Sequence, residues 1–201
     1  MQLSLNEVQV ESRKAARGAG LPWGLAEEVG YAMAWLAERG IDASAALLDI
    51  LNARTHGDTA GDPLLAGISI ADRAQKLAEG EVLAFAQIRQ PVLVLPFMAT
   101  AARLNGRTVL LRHEDALWSI RQGGEDPALL AAAAKRSRVI AVECRAEELP
   151  LRDTVEAKAA GRVDVEESLW LQLQALAHHT YVPASEQSRL LGAGAGNIDN
   201  D

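Results

Sequence analysis

Apolar and polar residues alternate with two different periods along this chain, and the change falls near Glu81. Before that point apolar side chains recur every three to four positions, the spacing of an amphipathic helix. Ser4 and Glu7 make the S-x-x-E pattern of a capping box, in which hydroxyl and carboxylate each satisfy a backbone N–H of the first turn. They open a helix that ends near Gly18 or Gly20. Pro22 then stands where a first helical turn tolerates it, and the segment to Gly40 carries Leu25, Val29, Met33 and Leu36 on one stripe. Asp42 is placed to cap a third helix over residues 43–54. The polar run THGDTAGDP (55–63) predicts a loop, and residues 68–80 a fourth helix.

Beyond Glu81 the apolar runs shorten. EVLAFAQIR (81–89) and PVLVLP (91–96), bounded by Glu, Gln and Pro, predict strands. FMATAARLNG (97–106) predicts a short helix ending at Asn105 and Gly106, with a hairpin turn at that dipeptide as the alternative. RTVLLR (107–112) and ALWSIR (116–121), separated by His113, Glu114 and Asp115, predict a hairpin with a three-residue connection. Asp126 as a cap and Pro127 at the first helical position predict a helix over residues 126–138. Its last residues, KRSR (135–138), read either as a solvated end matched to the helix dipole or as an anion site. VIAVEC (139–144) predicts a buried strand, and residues 164–179 the last long helix. Helices first and a small mixed sheet later predict an α+β fold in a single domain, helical over about 1–80 and mixed over about 81–201.

Composition narrows the function classes. A chain of 201 residues with 49% hydrophobic content suits a globular protein with one good core. No apolar run reaches the roughly 20 residues of a membrane helix, and the start lacks a basic and then apolar signal pattern, so a cytoplasmic location without membrane partners is expected. The lone Cys144 makes no internal disulfide, which fits a reducing compartment. Twenty basic against 27 acidic residues give −7, the wrong sign for a nucleic-acid partner. No metal site is expected: His56, His113, His178 and His179 form no ligand motif, and one cysteine builds no zinc site. Trp23, Trp35, Trp118 and Trp170 are expected mostly in the core or as interface anchors.

Two stretches concentrate polar chemistry. In the tail, Tyr181, Ser185, Glu186, Ser188, Arg189, Gly192 and Gly194 are candidate ligand-binding residues. GAGAG (192–196) fails as a dinucleotide fingerprint, because the sixth position counted from Gly192 is Asn197 and a helix precedes it. Its open backbone still offers N–H groups to an anion, or lets the chain pack flat. Arg189 suits a bidentate grip on a carboxylate or phosphate, or a pair with Glu186. Ser185 reads as a cap, since no G-x-S-x-G or S-x-x-K motif marks a nucleophile. The second stretch is the loop with Arg54, His56 and Asp58, either part of a site or a polar connection.

KAARGAGLPWGLAEEVGYAMAWLAERG near the start and TYVPASEQSRLLGAGAG at the end together resemble a bacterial family of about this length known only as a domain of unknown function. The resemblance implies that the tail motif belongs to the family's shared pattern, and it brings no activity or ligand. Over the first 45 residues or so the chain is also similar to the opening helices of the malate/L-lactate dehydrogenase-like enzymes. The active-site His of that family has no counterpart after Asp42, where Ala43, Ser44 and Ala45 follow. No dehydrogenase activity is implied, and no cofactor or catalytic residue is named by the sequence. The expectation is a protein that binds a small anionic metabolite through the tail, with the Arg54–Asp58 loop beside it. The rival is a non-catalytic accessory protein, and a homo-oligomer is expected in either case.

Overall fold

The computed structural model of the chain describes residues 1–113, 116–121, 124–125, 138–139, 142–147 and 161–181. Strand β1 (Gln2–Ser4) runs directly into α1 (Leu5–Gly18) through the capping box. Ser4 Oγ accepts the Glu7 N–H, while the Glu7 carboxylate accepts the Ser4 N–H at 2.8 Å and the Ser4 hydroxyl at 2.7 Å, and these last two bonds hold it below its usual pKa. Helices α2 (Trp23–Glu38), α3 (Ser44–Thr55), α4 (Pro63–Asp72) and α5 (Ala74–Ala78) complete the helical half. Gly40, at φ +71°, lets the chain leave α2 in a left-handed turn. The last described helix, α7 (Glu167–His178), returns to this half and packs on α1 and α3. Asp42 ties the two regions together, accepting the Ser44 N–H at 2.9 Å and the Glu166 N–H at 3.3 Å.

The mixed half begins with β2 (Leu83–Phe85) and β3 (Ile88–Arg89), then a 3-10 turn (Pro91–Val94) that continues as α6 (Leu95–Asn105). Strands β4 (Thr108–His113), β5 (Ala116–Arg121), β6 (Gly124–Glu125), β7 (Arg138–Val139), β8 (Val142–Glu147) and β9 (Arg162–Asp164) follow. The main sheet has the order β2-β8-β4-β5-β6, all antiparallel, with Leu111 of β4 opposite both Trp118 and Cys144. Two-stranded ladders join β1 to β9 and β3 to β7. The fold is α+β, as the change of period predicts. Val109, Leu111, Trp118, Ile120 and Cys144 form the buried face of the sheet, and α6 packs against β4 and β5. One apolar core runs from Val8 and Leu36 in the helices through Phe97 to this face. Trp35, Trp118 and Trp170 are buried in it, whereas Trp23 is 57% exposed beneath the Arg17 guanidinium. Among the described residues no helix is long and apolar enough to cross a membrane.

Four local expectations need correction. PVLVLP is helical, because Pro91 and Pro96 both fall in first turns where a missing N–H is harmless. Residues 91–98 are all buried, which erases the periodicity that separates helix from strand. Arg138, expected at a helix end, is in β7 opposite Arg89, while residues 126–137 lie outside the described residues. His113 pairs with Ala116 and so belongs to the hairpin's strand. The fourth helix starts earlier than its apolar run, because Asp62 caps it and Pro63 occupies its first position.

Close contacts between elements depend on glycine. A Cβ on Gly67 of α4 would collide with the Phe97 ring of α6, and one on Gly18 of α1 with the Leu176 carbonyl oxygen of α7. Gly24, on the exposed start of α2, has open space around it. Gly67→Ala and Gly18→Ala should each cost about 1–3 kcal/mol in urea unfolding, through overpacking. Gly24→Ala should be neutral or add about 0.5 kcal/mol by lowering the freedom of the unfolded chain.

Cys144 gives a second test. Burial pushes its thiol from 9.0 up to about 12. The unfolded chain therefore loses this proton first, so the thiol's contribution to stability is complete below pH 9.0 and is lost as pH rises toward about 12. Cys144→Val should flatten that fall when the unfolding free energies of the two proteins are compared across the window.

Candidate functional site

The loop between α3 and α4 is organised by one carboxylate. Asp62 accepts the Leu64 and Leu65 N–H groups on Oδ1, at 2.8 and 3.3 Å, capping α4. Its Oδ2 lies 2.8 Å from Arg54 Nε in the last turn of α3, and the side chains are only 2% and 13% exposed. Neither of these two atoms makes a well-aligned hydrogen bond, so charge holds the pair. His56 is exposed and its Nδ1 sits 2.7 Å from the Asn52 carbonyl oxygen, which requires the Nδ1–H tautomer. The Thr55 hydroxyl donates to the same carbonyl at 2.7 Å, so both close the end of α3.

Asp58 faces the other way. Its Oδ1 accepts the Ala60 N–H at 3.0 Å, and its half-exposed Oδ2 accepts from Arg89 Nη1 at 3.0 Å. The Arg89 backbone N–H donates to the Gly61 carbonyl at 2.8 Å, which docks β3 on the loop. Gly61 has φ +64°, and a Cβ there would press on the Gln87 carbonyl oxygen at 3.2 Å. The Arg89 side chain is 15% exposed, and its Nε and Nη2 are shielded from water without any hydrogen-bond partner. Gln90 follows in the left-handed region at φ 45° and ψ 59°, with its side chain donating to Asp49 at 2.9 Å.

Beside these groups lies an open cleft of about 540 Å³. One wall is formed by residues 60–62 with Leu65 and Ala66 of α4, and the other by residues 84–87. Its lining is chiefly Ala, Leu and Phe, with Asp62 and Gln87 as polar members. The start of α4 contributes no free donor: Pro63 has no N–H, Leu64 and Leu65 serve the Asp62 side chain, and Ala66 serves the Asp62 carbonyl. Among the described residues, no three His, Cys, Asp or Glu side chains gather as a metal site.

Of the residues expected from the sequence, Arg54 is in the last turn of α3, where it pairs with the cleft residue Asp62, His56 follows at the end of that helix, and Asp58 on the loop bonds Arg89. Tyr181 is 52% exposed after α7, where its hydroxyl accepts from Lys14 at 3.3 Å and its ring meets His178 edge-on. That bond is the leading cause of the raised Lys14 pKa. Tyr181 thus has partners different from those of Arg54 and Asp58. Ser185, Glu186, Ser188, Arg189, Gly192 and Gly194 lie outside the described residues. Sequence reasoning missed Asp62, although Asp-Pro had signalled a helix start at residues 126–127, and it missed Arg89, which no local pattern marks.

Residues 3–79 match the family model described as Protein of unknown function (DUF3726). The likeness of the N-terminal part to an uncharacterised family therefore holds. The match spans β1 to α5, including the Arg54–Asp62 loop, and stops short of Arg89. No curated protein and no solved structure matches the chain.

Asp62→Ala should remove the cap and leave Arg54 as an unpaired, buried charge. The loss should exceed about 3 kcal/mol in thermal or urea unfolding, with the larger share from the stranded guanidinium. Asp62→Asn keeps an acceptor for the α4 amides and should fall between the two proteins.

Proposed function

We propose that this protein binds a small anionic metabolite at the cleft between the α3–α4 loop and the β2–β3 turn, with Arg89 as the anion-gripping side chain. The observation that carries the reading is the unmet guanidinium. Arg89 keeps one N–H on Asp58 while two further N–H groups, nearly buried, have no acceptor. The Arg89 backbone is tied to Gly61, which lines the concave, largely apolar cleft, and a planar guanidinium with unmet donors suits a carboxylate or phosphate. Asp58, expected in the site from the sequence, takes part directly; Arg54 supports it through Asp62. No reaction is assigned: among the described residues that line this cleft, no nucleophile stands with a base.

A thermal-shift panel of acetate, short-chain carboxylates, sulfate and inorganic phosphate tests the reading. A ligand at about 100 times its Kd adds roughly 2.7 kcal/mol. At about 2–4 °C per kcal/mol for a chain of this size, the midpoint should rise by several degrees. Arg89→Gln should lose the shift. A panel in which no anion moves the midpoint, or moves it equally in Arg89→Gln, overturns the proposal.

A further inference from the structure

Independently of Arg89, we infer that the outer edge of β2 is a docking edge for an extended peptide that is apolar on one face and basic on the other. β2 ends the main sheet: its inner edge pairs with β8, and among the described residues no strand pairs with its outer edge. The cleft runs along that edge. Successive residues of a strand point to opposite faces, yet the cleft touches Ala84, Phe85, Ala86 and Gln87 in succession, which a groove over one face would not do. Its two walls meet at one end, where the Gly61 carbonyl receives the Arg89 N–H, so the open part lies beside residues 84–86. Exposed edges are ordinarily guarded by charge, proline or a bulge, because unpaired N–H and C=O groups recruit other strands. Residues 82–86 include no charged side chain and no proline, and Val82, Ala84 and Ala86 are exposed.

The two faces of the edge call for different side chains. A residue of the added strand beside Phe85 points toward Leu65 and Ala66 of α4 and meets an apolar slot. Leu65 is 43% exposed, so apolar surface there is left to cover. Leu83 and its partner Cys144 are buried, which puts Ala84 and its partner Glu143 on the outer face of the sheet. Glu143 is exposed and makes no ion pair. It stands two strand spacings, about 10 Å, from the added strand, a span that extended Lys and Glu side chains bridge over the Ala84 methyl group. The acids on the cleft side are already matched, Asp62 by Arg54, Asp58 by Arg89 and Glu81 by Arg73, so Glu143 is the carboxylate that selects. The net charge of −7 favours a cationic partner in the same sense. Because β2 is only three residues long, the ladder adds few hydrogen bonds and the side chains carry the selectivity.

Calorimetric titration with a VKVKV peptide blocked at both ends provides the test. The peptide carries no carboxylate, so its binding stands or falls separately from the anion reading. Blocked VEVEV should bind about three- to tenfold more weakly at low ionic strength, with the gap closing as salt is raised. Blocked VKPKV, which lacks one edge N–H, should bind at least about tenfold more weakly. Glu143→Gln, at an exposed position, should bring VKVKV and VEVEV to equal affinity, and Leu65→Ser should weaken both. Saturating VKVKV should slow amide hydrogen exchange among residues 83–86. Equal affinity for VKVKV and VKPKV, a preference for VEVEV, unchanged exchange at residues 83–86, or no binding at all overturns the inference. A dimer in sedimentation that Leu65→Ser dissociates and VKVKV does not overturns it in favour of a second copy at the same edge.

Discussion

A carboxylate almost closed off from water must have its charge met on the spot, and Asp62 meets that requirement with groups from two helices. Two amides of α4 take one oxygen and the guanidinium at the end of α3 takes the other. Together they fix where α3 stops and α4 starts. Gly61 is thereby held in a conformation that turns its carbonyl to the Arg89 amide, so the position of β3 follows from the corner. A buried ion pair of this kind is weak evidence for stability, because desolvation cancels much of the attraction. Its value here is positional: with either charge absent the other is stranded, so this corner has one acceptable arrangement.

Packing around the corner leaves little slack. Gly18 and Gly67 admit α7 and α6 to distances that any Cβ would forbid, and Gly30 brings α2 against α1, where a Cβ would lie 2.8 Å from the Gln9 carbonyl oxygen. Close approach of this kind gives dispersion contacts along whole helices and transmits displacement instead of absorbing it. The cleft therefore has one wall on a well-packed α4 and the other on residues 84–87, which are tied to the same scaffold through β2 and β8. Such a frame suits polar groups that must be held at fixed positions beside a ligand.

Much of the fold was legible in the chain because local chemistry and global packing agree there. The capping box, the stripe on α2, the Asn-Gly stop of α6 and the change of period at Glu81 are each settled within a few residues. PVLVLP was misread because full burial removes the periodic signal, and β1 and β9 were hidden because each is only three residues long. The site was legible only in part. A polar Gly/Asp loop draws notice, and Asp58 there bonds Arg89. Arg54 and His56 lie in the same run yet serve the end of α3, a distinction that depends on which partner each side chain meets. Arg89 is 31 residues from Asp58, and a contact over that separation is set by the docking of β3 on the loop, which no local pattern encodes.

Adjacent costs at Arg89 and Gln90 bear on why this edge of the molecule is built as it is. A non-glycine residue in the left-handed region costs roughly 1–2 kcal/mol, and Gln90 holds that conformation directly before Pro91. Each unmet buried donor costs about 1–3 kcal/mol. Among the described residues several side chains have one such atom, including Ser12 and Arg13, but Arg89 has two. Set against a total stability of about 5–15 kcal/mol for a domain, neighbouring costs of this size are a substantial fraction. Persistent strain of this kind gathers where a protein holds groups ready for a ligand. The physical case for the proposed role of this edge therefore rests on strain and unmet hydrogen bonding converging on two consecutive residues, tied to the Asp62 corner through Gly61.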